Sequence, residues 1–327
     1  MMNISFFDKP AEVQTDSLTQ FAQQILIKYG IKDAEVECIN FEFNATFSVT
    51  TDSGQRYALR LNINSTRTEE NIVAEVQWVR ALSRVAGINV PSPIATLDDQ
   101  FVVSALHEDS GQIIFGVMYS WLEGEEIGDE PTLDQLHLVG SSIALMHQNS
   151  TDFKLEGIAQ LPTFDDFFWG TDDYLFSEKS TLQPQHREAI QRAHDLIMKY
   201  TKQLYAVSPV HIIHADYHGW NLMWHEGQVS IFDFDDCGFG VEAQDLAVAL
   251  YYLDTPEQDA ALLDGYKSVR ALPFYSENAM RALLLQRRLL LLNYLFETKN
   301  AEHKEMLPAY LEKSLERVSA FLTDVTQ

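Results

Sequence analysis

The sequence predicts an α+β chain of two lobes, a small β-rich N-terminal lobe at residues 1–119 and a larger, mainly helical C-terminal lobe at 120–327. Three observations lead there. Between residues 41 and 121, short β-branched and aromatic runs alternate with turn residues. After "WLEGEEIGDEP", at 121–131, long helix-period segments take over. Inside that helical half, "HIIHADYHGWNLMW" and "VSIFDFDDCG", at 211–224 and 229–238, return to strand-like composition. A chain of 327 residues suits two domains or one two-lobed domain.

Taken in order, "FEFNATFSVTT" and "QRYALRLNI" read as strands joined into a hairpin by the turn "TDSGQ". A helix follows over "TRTEENIVAEVQWVRALSRVAG". Thr66 and Glu69, three residues apart, read as a capping box, and Gly87 as the C-terminal stop. Ile72, Val76, Val79 and Leu82 share one face of this helix, and Glu75 falls inside the same apolar stripe. An acid there needs a partner, and Arg60 on the preceding strand is the candidate. "QFVVSAL" and "IIFGVMYSW" complete the strands of the first lobe, and Met118–Gly124 reads as a hinge.

The helical half reads as "TLDQLHLVGSSIALMHQ", "PQHREAIQRAHDLIMKYTKQLY", "EAQDLAVALYYL" and "ENAMRALLLQRRLLLLNYLFETKN". "NLMWHEGQVSIFDF" reads as two short strands around a Glu-Gly turn.

Forty-eight Asp and Glu against 23 Lys and Arg give a net charge of −25, which argues against a nucleic-acid partner, whose phosphates need basic patches. The excess acid keeps the chain soluble and could draw in a cationic small molecule. Cys38 and Cys237 are the only cysteines and have no metal-like spacing, as in a reducing compartment. The N-terminus lacks the pattern of a signal peptide, and "LLLQRRLLLLNYLF" is interrupted by Arg287 and Arg288 and too short to span a bilayer. The expectation is a cytoplasmic protein with no membrane partner.

The chemistry concentrates near residue 220. Asp216 and Asn221 lie five apart across a glycine-containing loop, and Asp233 closes the apolar run "VSIF". An all-oxygen set of this kind suits Mg²⁺. A second Asp outside the metal's shell can accept a proton from a hydroxyl. Metal, phosphate and proton acceptor together amount to phosphoryl transfer.

"HADYHGWN" followed by "IFDFDD" resembles the aminoglycoside phosphotransferase and choline kinase-like family, relatives of the protein kinases. The resemblance spans about residues 40–250 and implies a protein-kinase-like two-lobed fold. It implies that Asp216 is the catalytic base, that His218 orders its loop, and that Asn221 and Asp233 hold Mg²⁺ against the phosphates of ATP or GTP. Asp245, opening "DLAVAL", matches an Asp that hydrogen-bonds the catalytic loop. Upstream, "FNATFSV" matches the phosphate-covering turn, with Asn44 and Ala45 near the phosphates, although it has no glycine. "YALRL" puts Arg60 where the family usually has lysine, "EVQWVRAL" supplies its partner Glu75, and Tyr119, Ser120 and Trp121 in "MYSWLEG" present backbone groups to the base.

The implied acceptor is the hydroxyl of a small molecule of the amino alcohol, amino acid, sugar or aminoglycoside type. Only eleven residues separate Asp233 from Asp245, too few for the activation segment of a protein kinase. The same scaffold also allows a stress-response protein kinase or a nucleotide-binding pseudokinase. A haloacid dehalogenase-like phosphatase, with Asp233 and Asp235 as nucleophile and acid, is disfavoured because its motif belongs near the start of an α/β domain. His211, His214, His218 and His225 invite a zinc reading but lack helical i, i+4 spacing. Asp235 is read as an indirect second-metal contact or, like Asp236, a solvated loop acid. The acids at 123–129 are read as wet surface, and the aromatics of "TFDDFFWGTDDYLF" as packing.

Overall fold

The computed structural model describes residues 5–325. The chain divides into two compact units. One holds the chain up to Glu125 together with Phe153–Leu161 and Met223–Asp235; the other holds Glu126–Asp152, Pro162–Leu222 and the chain from Asp236 onward.

The first unit is built on an antiparallel sheet of β1 (Ala34–Phe41), β2 (Ala45–Thr51), β3 (Arg56–Asn62), β4 (Val102–His107) and β5 (Gln112–Ser120), in the order β1-β2-β3-β5-β4. The β2–β3 hairpin turns where "TDSGQ" predicts, with Gly54 at φ +81°. Its core joins Phe47, Val49, Leu59 and Leu61 of the sheet to Leu18, Phe21, Ala22 and Ile25 of α1 (Ala11–Leu26).

Neither α1 nor β1 is among the elements expected from the sequence. In α1 the i, i+3, i+4, i+7 spacing of those four apolar residues is the helix signal. In β1 charged residues interrupt the apolar run, because an edge strand buries only alternate side chains.

Helix α2 (Glu69–Leu82) departs from expectation at both ends. Its cap is Thr68, not Thr66: the Thr68 hydroxyl accepts from Asn71 N–H, and the Asn71 side chain accepts from Thr68 N–H. Asn71 also donates to the carbonyl of Gln160 at 3.0 Å, a tertiary bond that a box at Thr66–Glu69 would lack. The helix stops well before Gly87, since the amides of Arg84 and Val85 already bond three residues back and tighten the chain into turns.

Strands Leu222–His225 and Gln228–Ile231 flank the expected turn, with Glu226 at φ +47° and Gly227 at φ +83°. The second of these strands is fixed to the first unit by Ile231 N–H on the carbonyl of Asn89 (2.9 Å) and by the Asn89 side chain on Ser230 Oγ (2.5 Å).

The second unit contains α3 (Leu133–Asp152), α4 (Pro184–Val207), α5 (Glu242–Tyr251), α6 (Pro256–Val269), α7 (Glu277–Glu297) and α8 (Ala301–Asp324). Of these, α6 and α8 were not anticipated. One core of this unit joins Ile190, Ala193 and Ile197 of α4 to Leu285, Leu289 and Leu292 of α7 and Val318 and Phe321 of α8. Phe164, Phe167 and Leu175 of the aromatic segment are buried, as packing residues should be. Strands His211–Ile213 and Gly238–Gly240 pair antiparallel. Among the described residues no helix is long and apolar enough to cross a membrane.

Helices α3 and α6 cross at two glycines. A Cβ on Gly140 would lie 1.9 Å from the carbonyl oxygen of Leu262, and one on Gly265 1.9 Å from that of His137. Neither contact can yield without moving a helix backbone. Gly140→Ala is therefore expected to cost about 2–3 kcal/mol, read as a lower urea midpoint with an unchanged slope.

Candidate active site

In the first unit the centre is Arg60, carried on β3 between Thr46 of β2 and Val117 of β5. Its guanidinium is 9% exposed and grips Glu75 with both arms, at 2.8 and 2.5 Å. Tyr119 donates its hydroxyl to the same carboxylate at 3.0 Å. Burial opposes charge on Arg60, but Glu75, Tyr119 and Asp235 outweigh it and hold the guanidinium well above its ordinary range. The acid in the apolar stripe of α2 thus has the partner that its position demands.

A second polar cluster adjoins this pair. Asn44 donates to Asp235 Oδ2 at 3.1 Å and receives Asn62 at 2.9 Å, while Asp235 Oδ1 lies 4.0 Å from Arg60. Asp235 is therefore no solvated loop acid: its side chain is 14% exposed and held on the Asn44 side of the sheet. Proximity in space, which sequence does not carry, decided that. Arg60 Nε, Asn62 Oδ1 and Asp235 Oδ1 are buried without hydrogen-bond partners, a donor and two acceptors left over in one cluster.

Ala45 is fully buried at the start of β2. Ser120 exchanges two bonds with Ser92, through its amide at 2.8 Å and its hydroxyl at 2.9 Å, and Trp121 lies under the Arg56 guanidinium at 3.8 Å. Asp233 is exposed and left-handed at φ +58°, a conformation costly for a residue with a Cβ. The next residue, Phe234, is buried edge-on against Trp78 of α2, with centroids 5.5 Å apart, and so pins the segment.

In the second unit everything turns on the loop from His214 to Asn221. Asp245, fully buried in the first turn of α5, accepts His214 N–H at 3.0 Å and Ala215 N–H at 2.6 Å, and meets His147 Nε2 at 3.0 Å. His147 is held on its other nitrogen by the hydroxyl of Tyr266 at 3.0 Å. These bonds keep Ala215 left-handed at φ +68° and turn Asp216 out of the strand. Gly219 lets the loop close: its carbonyl accepts Gly128 N–H at 3.0 Å, and a Cβ there would lie 1.7 Å from the Gly128 oxygen.

Asp216 is surrounded by donors. Its Oδ2 meets His218 Nε2 at 3.2 Å and Asn221 Nδ2 at 3.0 Å; its Oδ1 is bonded by Arg287 of α7. Burial works against its ionisation, yet Arg287 and His218 more than offset this and hold the carboxyl well below the usual carboxylate range. Arg287 was visible in the sequence only as an interruption of an apolar helix, and an Arg in such a stripe is the signal that should have prompted a search for its acid. Asn221 Nδ2 also donates to the carbonyl of Asp216 at 3.0 Å, which turns its Oδ1 the other way.

The histidines have separate occupations. His214 stacks on Tyr217 (4.5 Å), His211 faces Glu242 (3.9 Å), and His225 is half exposed. Among the described residues no three His, Cys, Asp or Glu gather as a metal cluster.

Residues 41–279 match the phosphotransferase enzyme family. The chain belongs to that family. It is 24% identical to the amicoumacin kinase of Bacillus subtilis (strain 168) over 89% of this chain and 90% of that protein. Among solved structures it is similar to a microcompartment-associated aminopropanol kinase, with TM-score 0.78 and 24% identity over 93% of this chain and 98% of the other. It is also similar to amicoumacin kinase hAmiN in complex with AMP-PNP, Ca²⁺ and Ami, with TM-score 0.74 and 19% identity over 94% and 96%. The aminoglycoside phosphotransferase APH(4)-Ia follows at TM-score 0.59, 17% identity, 92% and 98%. The fold is kinase-like, as the motifs imply, and the chain is a phosphotransferase.

Removing Asp245 takes away the acceptor of two buried amides and the partner of His147 Nε2. Asp245→Ala is expected to cost about 3–5 kcal/mol, seen as a large fall in the thermal midpoint. A midpoint within a degree of wild type would show that the loop does not depend on it.

Proposed function

We propose that this phosphotransferase moves the γ-phosphoryl group of ATP or GTP to the hydroxyl of a small molecule, with Asp216 as catalytic base. One observation carries the reading: Asp216 and Asn221 are bonded to each other within a loop that Asp245 anchors to buried secondary structure. Phosphoryl transfer passes through a loose transition state and asks the protein mainly for positioning and charge neutralisation. An ionised, immobilised carboxylate meets that demand by orienting the acceptor hydroxyl and receiving its proton.

Asn221 and Asp233 are the proposed Mg²⁺ ligands. Donor chemistry fits, since both offer oxygen and the amide nitrogen of Asn221 is already spent on Asp216. Bound Mg²⁺ would neutralise phosphate charge. The unpartnered Oδ1 of Asp235 and Nε of Arg60 suit a ligand that carries both a cation and anionic oxygens. Arg60 spends both arms on Glu75, so its role is to fix α2 and to set a positive charge beneath the Asn44–Ala45 turn. Backbone groups of Tyr119, Ser120 and Trp121 are proposed to receive the base; the amide of Ser120 already bonds Ser92 and Tyr119 pairs with Ala58 of β3, so Trp121 is the one left to provide the contact.

The acceptor is proposed to be an amine-bearing alcohol, of the amino alcohol or aminoglycoside type. The names of the relatives support this, as aminopropanol joins the two groups, and a net charge of −25 favours a cation.

Asp216→Ala is expected to fold and bind Mg·ATP while transfer falls by about 10³-fold or more; full turnover would remove Asp216 from the role of base. Asp233→Ala is expected to weaken Mg·ATP itself, so that the nucleotide-induced rise in thermal midpoint shrinks.

A further inference from the structure

The surroundings of Asp216 say more about the acceptor. An ionised carboxylate has about four lone-pair sites, two on each oxygen. On Asp216, His218 and Asn221 take both sites of Oδ2, and Arg287 takes one site of Oδ1. The open site is on Oδ1, beside Arg287.

Arg287 Nη2 also donates to the hydroxyl oxygen of Tyr252 at 2.6 Å. That bond uses the oxygen of Tyr252 as an acceptor, so the phenolic hydrogen is left to donate elsewhere. Tyr252 is half-buried, its ring edge-on to His218 with centroids 5.4 Å apart. The Arg287 side chain is 11% exposed and its charge is desolvated. All five residues belong to the second unit. Arg287 also lies beyond residues 41–279, the part matched to the family.

We infer that Asp216 Oδ1, Tyr252 and Arg287 form an acceptor subsite that selects an alcohol whose adjoining carbon bears an oxygen, not an ammonium. This rests on the phosphotransferase reading above. The reacting hydroxyl donates to Oδ1. As its oxygen bonds to the γ-phosphorus, the bond from phosphorus to the β,γ-bridging oxygen breaks, the proton passes to Oδ1, and the nucleoside diphosphate leaves. The neighbouring oxygen of the acceptor receives the Tyr252 O–H. An ammonium at that place could accept nothing and would face the guanidinium, so any amine of the acceptor sits farther along the molecule. Tyr252 touches the acceptor; Arg287 is a positioning residue that acts by holding both Asp216 and Tyr252.

The test uses two probes that differ only at the adjoining carbon, propane-1,2-diol and 1-aminopropan-2-ol, with labelled ATP and Mg²⁺ at pH 7. Wild type is expected to favour the diol in kcat/KM by about tenfold or more, because a donor left unpaired discriminates strongly. Tyr252→Phe should lower kcat/KM for the diol by about tenfold or more beyond whatever it costs the amine, erasing the preference. Arg287→Lys keeps the charge but not the fork; it should cut kcat about tenfold or more and leave KM for ATP within about twofold.

A wild type that prefers the amine, transfer to neither probe, or an unchanged ratio in Tyr252→Phe each overturns the subsite. The wild-type ratio stands as a test even if a variant does not fold. Failure of Mg·ATP to raise the thermal midpoint of wild type would instead overturn the kinase reading.

Discussion

The carboxylate of Asp245 is the constraint on which the chemistry of the second unit depends. It is completely buried, and a bare carboxylate in such surroundings would be untenable. Two backbone amides and an imidazole offset the cost, and in doing so they dictate the path of the chain. Ala215 takes a left-handed conformation that a residue with a Cβ avoids, and Asp216 and Asn221 are turned toward one another as a result. The strain is local and the bonds that maintain it are local, so the loop is organised before any ligand arrives. Preorganisation of this kind is what electrostatic catalysis requires.

Two buried arginines perform related tasks in a chain that carries more than twice as much acid as base. Arg60 meets Glu75 with both arms and joins strand to helix. Arg287 divides a single nitrogen between Asp216 and Tyr252 and fixes the Asp216 carboxylate without covering both of its oxygens. The planar fork lets Arg60 engage both Glu75 oxygens at once, a geometry that a single ammonium does not reproduce. Charge in these places sets geometry as much as it contributes energy.

Much of the site was legible because its chemistry is short in sequence. Asp216 and Asn221 lie within one loop, and Glu75 lies in an apolar stripe that makes an unpaired acid conspicuous. Local pattern failed where two equivalent signals competed: Thr66 and Thr68 both precede an acidic first turn, and the side chain of Asn71, bonded to Gln160, chose between them. Sequence leaves Asp235 open between a metal contact and a solvated loop acid, because its partners Asn44 and Ser65 are remote in the chain. Helices α1, α6 and α8 lie outside the segments read as helical from the sequence, although α1 carries an apolar stripe at i, i+3, i+4 and i+7 and α8 supplies Val318 and Phe321 to a core of the second unit.

The sequence alone determined the fold class, the order of the main elements, the loop that bears Asp216 and Asn221 and, through the resemblance of its motifs, the family. The first three follow from periodicity, turn chemistry and spacing, which are properties of neighbours along the chain. Only the tertiary structure decided that Arg287 and Tyr252 attend Asp216 and that Asp235 is held by Asn44. Pairings of this kind depend on which helix face or strand end meets which. That is settled by packing whole elements around a core, and no window of residues contains it.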